Sequence, residues 1–362
     1  MAVRDNFTFN WKSKSDSFKS RSTDGVLCLI IDDTTLTGIN EYSNYKKVKR
    51  STMSEENKSL ISDLYANEDL RKVIIVAYNS EGGQTLDEAI KLIEDNNVKY
   101  NYLACEKASS SEDKQKLIQH VKLQRREGNR KATVVLSGVS DANYEGVISI
   151  ELKDITLIDG TEITPERFSL YYAAAATACD LSTSMTYHKF KYVKKVTLPD
   201  DVDEDDIEDN GGVYLFFDND LDVIVASQGI NTKTTFTGDE SQELKYIRTD
   251  RILNMIYTDI RNLWKTNYLG VNNSYKRKKL LITDLNSYLR GLASQEILDD
   301  SKENYTELDR EAIVDYLEAE GVDTSKLKDE ELFSYDTDVN VFVTGQINIT
   351  KTMEKITINM EA

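Results

Sequence analysis

Residues 26–31 read VLCLII and residues 73–77 read VIIVA, and Gly25 and Asp32 bound the first of these runs. An apolar run this short has no polar face and is too brief for a stable helix, so each predicts a strand buried on both sides. Two shorter runs, Tyr102 to Cys105 and TVVL at 133–136, extend the series, the last ending at Ser137-Gly138. The segments between them have helical spacing instead. Leu60, Ile61 and Leu64 mark one helix over 54–65; Leu86, Ala89, Ile90 and Ile93 mark a second; Leu117, Ile118, Val121 and Leu123 mark a third over 111–126. Buried strands alternating with amphipathic helices predict an α/β domain with a largely parallel sheet.

Beyond residue 140 the order changes. VISIELKDITLI at 147–158 alternates and ends at the turn Asp159-Gly160. Thr164-Pro165 is a helix start, with a hydroxyl cap and proline at the first position. The helix that follows carries AAAATAC at 173–179, whose small side chains permit close packing. Residues 186–197 are aromatic and lysine-rich and are expected to supply strands. The run PDDVDEDDIEDN at 199–210 is so acidic that an exposed loop is expected; it lacks the glycine and terminal glutamate of a calcium loop. VYLFF and LDVIVA flank Asp218-Asn219-Asp220 as a hairpin. Helices are expected over 241–264, 281–292 and about 306–320. Overall the chain is α/β, or α+β when both halves are counted.

The chain closes on VNVFVTGQINITKTMEKITINM at 339–360. Val339, Val341 and Val343 alternate with polar or aromatic neighbours, as do Ile347 with Ile349, and Ile356 with Ile358 and Met360. Period two means strand. Such a strand needs an edge to pair with, either in its own sheet or on a neighbouring molecule. At the other end, residues 1–22 are polar apart from Phe7, Phe9, Trp11 and Phe18. They form an extended arm that could add as a strand, or a frayed terminus.

Composition narrows the function. The 362 residues suffice for two or three domains, and 40% hydrophobic content predicts that most of the chain folds. A net charge of -18 opposes general binding to nucleic acid or to an anionic membrane. The start MAVRDNFTFNWKSKSD has no apolar core of the kind a signal peptide needs, and no apolar stretch reaches the length of a membrane span. Cys28, Cys105 and Cys179 are scattered among apolar or small residues and read as reduced, buried thiols.

No catalytic constellation emerges. The two histidines, His120 and His188, lie in different segments without a partner at metal-ligand spacing. His120, on an amphipathic helix, is expected to be structural or solvent-facing. DDTTLTG after the first strand is no phosphate loop, and no GxSxG is present. No cofactor, metal or enzymatic activity is expected. The one basic cluster, Lys276, Arg277, Lys278 and Lys279, suits a charge-complementary protein surface better than a nucleic acid.

Three stretches carry a family resemblance. YIRTDRILNMIYTDIRNLWKTNYLGVNNSYKRKKLLITDLNSYLRGL at 246–292 resembles the contractile tail sheath proteins of bacteriophages and R-type bacteriocins. It is similar in particular to the short sheath subunits of defective-prophage tails and diffocin-like particles of Gram-positive bacteria. Residues 145–187 and 211–237 resemble further segments of the same proteins, so the likeness runs over about 145–362 and weakens across 25–138.

The resemblance implies a tail-sheath fold and a structural role. Subunits would stack as hexameric rings around an inner tube protein and contract on a baseplate signal, with a tail terminator protein as a further partner. Assembly would occur in the bacterial cytoplasm, with release by lysis. The implied division is an arm at 1–22, a variable outer domain at 23–140, a conserved core at 141–349 and a strand-donating arm at 350–362. Strand exchange would involve Phe7, Phe9, Trp11, Ile347, Ile349, Ile356, Ile358 and Met360. Lys276, Arg277, Lys278 and Lys279 would touch the tube or the next subunit, while Arg248, Asp250 and Arg251 would fix local geometry through buried or half-buried ion pairs. A monomeric α/β binding module or an enzyme of unknown substrate is the alternative. A tube protein is the near rival, but several strong helices disfavour it.

Overall fold

Alternate residues of β1 (Val26–Asp32) face opposite sides of one sheet, and this single strand explains the layering of the larger unit. Leu27, Leu29 and Ile31 enter one apolar cluster, Cys28 and Ile30 another, all at 2% exposure or less. Full burial of each such aliphatic side chain is worth roughly 1.5–3 kcal/mol. The structure, a computed structural model, describes residues 25–127, 130–238, 240–354 and 356–358. They divide into two compact units, 25–254 with 354 and 356–358, and 255–353.

In the first unit the elements run β2 (Gly38–Tyr42), α1 (Tyr45–Lys49), α2 (Glu55–Asn67), β3 (Lys72–Tyr78), α3 (Leu86–Asp95), β4 (Tyr102–Cys105), α4 (Ser111–Arg126), β5 (Thr133–Ser137) and β6 (Val147–Ile150). Then come β7 (Asp154–Leu157), β8 (Glu162–Ile163), α5 (Pro165–Ala178), β9 (Val193–Thr197), α6 (Glu204–Asp209), β10 (Gly212–Val213), β11 (Leu215–Asp218) and β12 (Val223–Ala226). The main sheet has the order β10-β6-β5-β4-β1-β3-β2 and is parallel except for β2, which runs antiparallel to β3. Residue 140 lies between β5 and β6, two neighbours in that sheet. Helices α3 and α4 contribute to the cluster that includes Cys28 and Ile30; α2 and α5 contribute to the other. The run of alanines does what its size permits: Ala173 to Ala176 are all buried, so α5 lies close against the sheet.

Local signals explain the boundaries. Ser110 caps α4, Thr85 closes a capping box with Glu88 on α3, and Thr164 caps α5 with Pro165 in its first turn. The alternating segment 147–158 is two strands: β6 joins the main sheet and β7 a three-stranded sheet with β8 and β9. Only Val193–Thr197 of the lysine-rich segment is strand. The expected hairpin is β11–β12. The acidic run is not wholly a loop, because α6 forms inside it. Asp203 accepts from the Asp206 amide as N-cap, the acids of the first turn meet the positive end of the helix, and Ile207 is buried.

The second unit begins within α7 (Ile247–Leu263), which passes through the division at 254/255 and ends in a π turn at Trp264–Tyr268. It continues with α8 (Tyr275–Ala293), β13 (Tyr305–Leu308), α9 (Arg310–Ala319), α10 (Asp329–Ser334) and β14 (Val343–Gln346). Two expectations are corrected here. Helix α8 begins six residues earlier than its apolar pattern suggests, because Ser274 caps it, and so the basic cluster is helical. Residues 305–308 are strand rather than helix, and Asp309 caps the helix that follows. Among the described residues the alternating tail forms β14, paired antiparallel with β13, and a bridge from Ile349 to Leu298.

Candidate assembly surfaces

In doubly wound sheets, ligands bind outside the carboxyl ends of the strands where the connections reverse direction. Here β1 leads to β3 on one side, while β4 leads to β5 on the other, so the reversal lies between β1 and β4. The first turn of α5 and its neighbours crowd that end with paired charges. Arg167 reaches Glu106 at 2.9 Å, directly after β4, and Glu56 at 3.0 Å. Glu166 accepts from Ser137 at 2.8 Å and from Lys114 at 3.3 Å. Burial alone would raise the Glu166 carboxyl, but Ser137 and Lys114 hold it below its ordinary value. Asp33, after β1, is filled by donors from Thr35, Leu36, Ser54 and Asn57. These groups satisfy one another and leave none poised for chemistry. Among the described residues no group of three His, Cys, Asp or Glu side chains is placed to hold a metal.

His120 is not at the surface: it is 2% exposed, with Nδ1 at 2.8 Å from Glu94 and Nε2 at 2.8 Å from the Tyr100 hydroxyl. Cys28 and Cys105 are buried, and burial pushes the Cys105 thiol up to about 12; Cys179 is half-buried. Arg248 and Arg251 donate to backbone carbonyls at the end of α5 and just beyond, those of Leu181, Ala176 and Cys179. Asp250 makes the buried ion pair, with Arg125.

A strand edge without a partner strand among the described residues lies in the second unit. Within the β13–β14 pair, Asp309 donates to the Phe342 carbonyl, which fixes 309/342, 307/344 and 305/346 as the hydrogen-bonded positions. Thr306 on β13, and Val343 and Gly345 on β14, therefore turn their backbone groups outward. The outward edge of β13 is sealed: Asn286 of α8 donates to the Thr306 carbonyl at 2.8 Å and accepts from its amide at 2.7 Å. Among the described residues no strand pairs with the outward edge of β14.

The residues singled out from sequence divide accordingly. Ile347 is half-buried just past β14; Ile349 is buried and bridged to Leu298 within its own unit. Ile356 and Ile358 stand 83% and 65% exposed, and 356–358 form no strand. Phe7, Phe9, Trp11 and Met360 lie outside the described residues. In the basic turn, Lys276, Arg277 and Lys279 are exposed, and Lys279 lies over the Tyr275 ring. Lys278 points inward at 4% exposure, bonded to the Tyr335 carbonyl and the Thr337 hydroxyl. Sequence reasoning missed Asn286 and Asn273. Nothing in their spacing marks them, since each acts on backbone brought near by folding.

A family model described as the phage tail sheath C-terminal domain matches residues 239–362. The tail sheath protein of Clostridium phage phiCD119 is 28% identical over 375 residues, spanning 100% of both chains. The fold is similar to that of the sheath tail protein of Desulfitobacterium hafniense, with a TM-score of 0.66 at 14% identity over 84% of this chain and 94% of the other. It is also similar to the helical sheath of the anti-feeding prophage in its contracted state, with a TM-score of 0.68 at 11% identity over 100% and 99% of the two chains. The sequence relationship to the phage protein and the family match at the C-terminal end agree with this fold. Over residues 239–362 the chain matches the phage tail sheath C-terminal domain, and along its length it is similar to a phage tail sheath protein and has the fold of solved sheath proteins.

Proposed function

We propose that this chain is the structural subunit of a contractile tail sheath. Copies stack as hexameric rings around an inner tube and join a baseplate, and contraction drives the tube through a bacterial envelope. The work comes from the difference between two packings of the same subunits, so no bound nucleotide is required. Assembly belongs to the bacterial cytoplasm, before the particle is released.

The observation that carries the linkage between subunits is the pairing of an open β14 edge with an exposed, alternating tail. Ile356 and Ile358 present apolar side chains to solvent on a segment of strand-like sequence. An added strand would pair its backbone with Val343 and Gly345, giving a strong link that depends little on side chains. We assign 350–362 as the donated segment, and 1–22 with Phe7, Phe9 and Trp11 as the second arm. Ile347 would border the acceptor edge, whereas Ile349 belongs to the core of its own unit. Lys276, Arg277 and Lys279 are assigned as contacts to the tube or the next subunit. The outer and core domains are assigned to 23–140 and 141–349.

Electron microscopy of the purified full chain beside a chain ending at residue 349 tests this reading. The full chain should form hollow striated cylinders, and the shortened one should remain a folded monomer. Cylinders of normal length from the shortened chain would overturn strand donation. A full chain that stays monomeric with its tube and baseplate proteins present would overturn the sheath assignment.

A further inference from the structure

Lys278 is the anomaly of the basic turn. Its neighbours reach solvent, but its ammonium is buried among neutral oxygens: the Tyr335 carbonyl at 3.3 Å and the Thr337 hydroxyl at 3.0 Å. Burying a cation whose direct partners are neutral is costly, and burial holds this amine below its ordinary pKa against an opposing pull from Asp336. An apolar side chain of similar length would avoid that cost, so the ammonium is useful for what it holds.

It holds the loop that feeds β14. Thr337 is 1% exposed and uses its hydroxyl fully: it receives bonds from Lys278 and, at 3.3 Å, from Asn273, and donates to the Asn340 carbonyl at 2.6 Å. The Asn273 amide also donates to the Asp338 and Asn340 carbonyls at 2.7 and 3.0 Å. The Asn340 amide donates back to the Thr337 carbonyl at 2.9 Å. Asp338 sits at φ 51, in the left-handed region, at the centre of this turn. The clasp thus fixes 335–340 against the start of α8, three residues before β14 begins.

That distance matters because strand periodicity is two. A slip of one residue would exchange the outward positions 343 and 345 for 344 and 346 and turn the opposite set of side chains to the core. We propose that Lys278 and Asn273 are positioning residues, which set the register of β14 and thereby present its open edge for an incoming strand. This rests on β14 being the acceptor edge. It gives Lys278 a role distinct from that of the exposed cations beside it, which no change of its own contact with a partner would mimic.

The test uses the full chain in a Cys179→Ser background, with Val343→Cys on the edge and single cysteines placed in turn at Ile356, Thr357 and Ile358. In the otherwise native chain, one pairing should dominate the intermolecular disulfides. With Lys278→Met the chain should fold with unchanged circular dichroism, yet spread its crosslinks over several pairings and lose at least about tenfold in cylinder yield. A merely structural lysine would lower the unfolding midpoint without changing the crosslink pattern, and that result, or an unchanged pattern and yield, would overturn the proposal. Should Lys278→Met fail to fold, Asn273→Ala in the same assays decides the matter by the same criteria. Val343→Pro, in a chain without the added cysteines, removes an outward amide from the edge and separates the two readings. If it blocks assembly while the clasp variants assemble normally, the clasp proposal alone falls. If it assembles as the native chain does, the acceptor edge falls and the clasp proposal with it.

Discussion

Asn286 occupies the outward backbone of Thr306 as a neighbouring strand would, accepting from its amide and donating to its carbonyl. An unpaired edge invites uncontrolled association, and this side chain closes one of the two edges of the β13–β14 pair. The edge left for an added strand is that of β14. Asn286→Ala should cost about 1–3 kcal/mol, since two backbone groups lose partners. It should also open a second edge. Urea unfolding would give the first effect, and electron microscopy the second, as branched or irregular aggregates in place of uniform cylinders.

Gly345 faces Thr306 across the β13–β14 pair at the position where two strands approach most closely. A Cβ there would overlap the Tyr305 carbonyl oxygen and lie 3.1 Å from the Thr306 Cα. Both are backbone atoms, so neither can rotate away. Gly345→Ala should therefore force β13 and β14 apart at a cost of about 1–3 kcal/mol, and reduce cylinder formation by more than its loss of thermal stability explains. Differential scanning calorimetry paired with sedimentation of assembled material would separate the two effects.

The parts of the fold legible in the sequence are those in which one local signal has no competitor. VLCLII could only be a two-sided buried strand, and the periodic leucine, isoleucine and valine of 111–126 sit behind the cap Ser110 where α4 begins. Legibility failed where two signals overlapped. The acids of 199–210 suggested repulsion and hid the Asp203–Asp206 cap of α6. The threonine and glutamate of 305–308 run into a true helix start at Asp309 and were absorbed into it. Within the basic turn, helical geometry turns Lys278 inward while Lys276, Arg277 and Lys279 reach solvent, and four consecutive cations in a sequence do not reveal which one is buried. β14 was legible only as alternation; the sealing of the β13 edge by Asn286 depends on contacts made across 20 residues.

Arg125 and Asp250 form a buried ion pair in the first unit, with bonds of 2.9 and 2.7 Å between their two ends. Burial works against the Arg125 charge, but Asp250 more than restores it and holds the guanidinium above its ordinary pKa. Asn254 donates to the same carboxylate. Asp250→Ala leaves the buried guanidinium with the more distant Glu145 carboxylate, 3.8 Å away, and should cost about 3 kcal/mol in urea unfolding. Adding Arg125→Met should recover much of that loss, because an apolar pair avoids the desolvation. A double variant as unstable as the sum of its singles would show that the two side chains do not act as a pair.

His120 makes stability depend on pH in a direction that can be worked out. Burial lowers its pKa below 6.5, against a partial opposing pull from Glu94. Between the folded value and 6.5 the unfolded chain binds the extra proton, so stability rises with pH across that window. The contribution is complete above 6.5 and is lost as pH falls through the folded pKa. His120→Gln cannot take up that proton. It should be less stable than the native chain near neutrality, by about 1 kcal/mol for the weakened bonds to Tyr100 and Glu94. Its deficit should shrink on acidification from about pH 7.5 to about pH 5, as the native chain alone pays the protonation penalty. Both proteins keep His188, so the difference between their melting temperatures isolates His120. A deficit that stays constant would mean that folding leaves the His120 pKa unshifted, and one that widens with acid would mean that Glu94 prevails over burial.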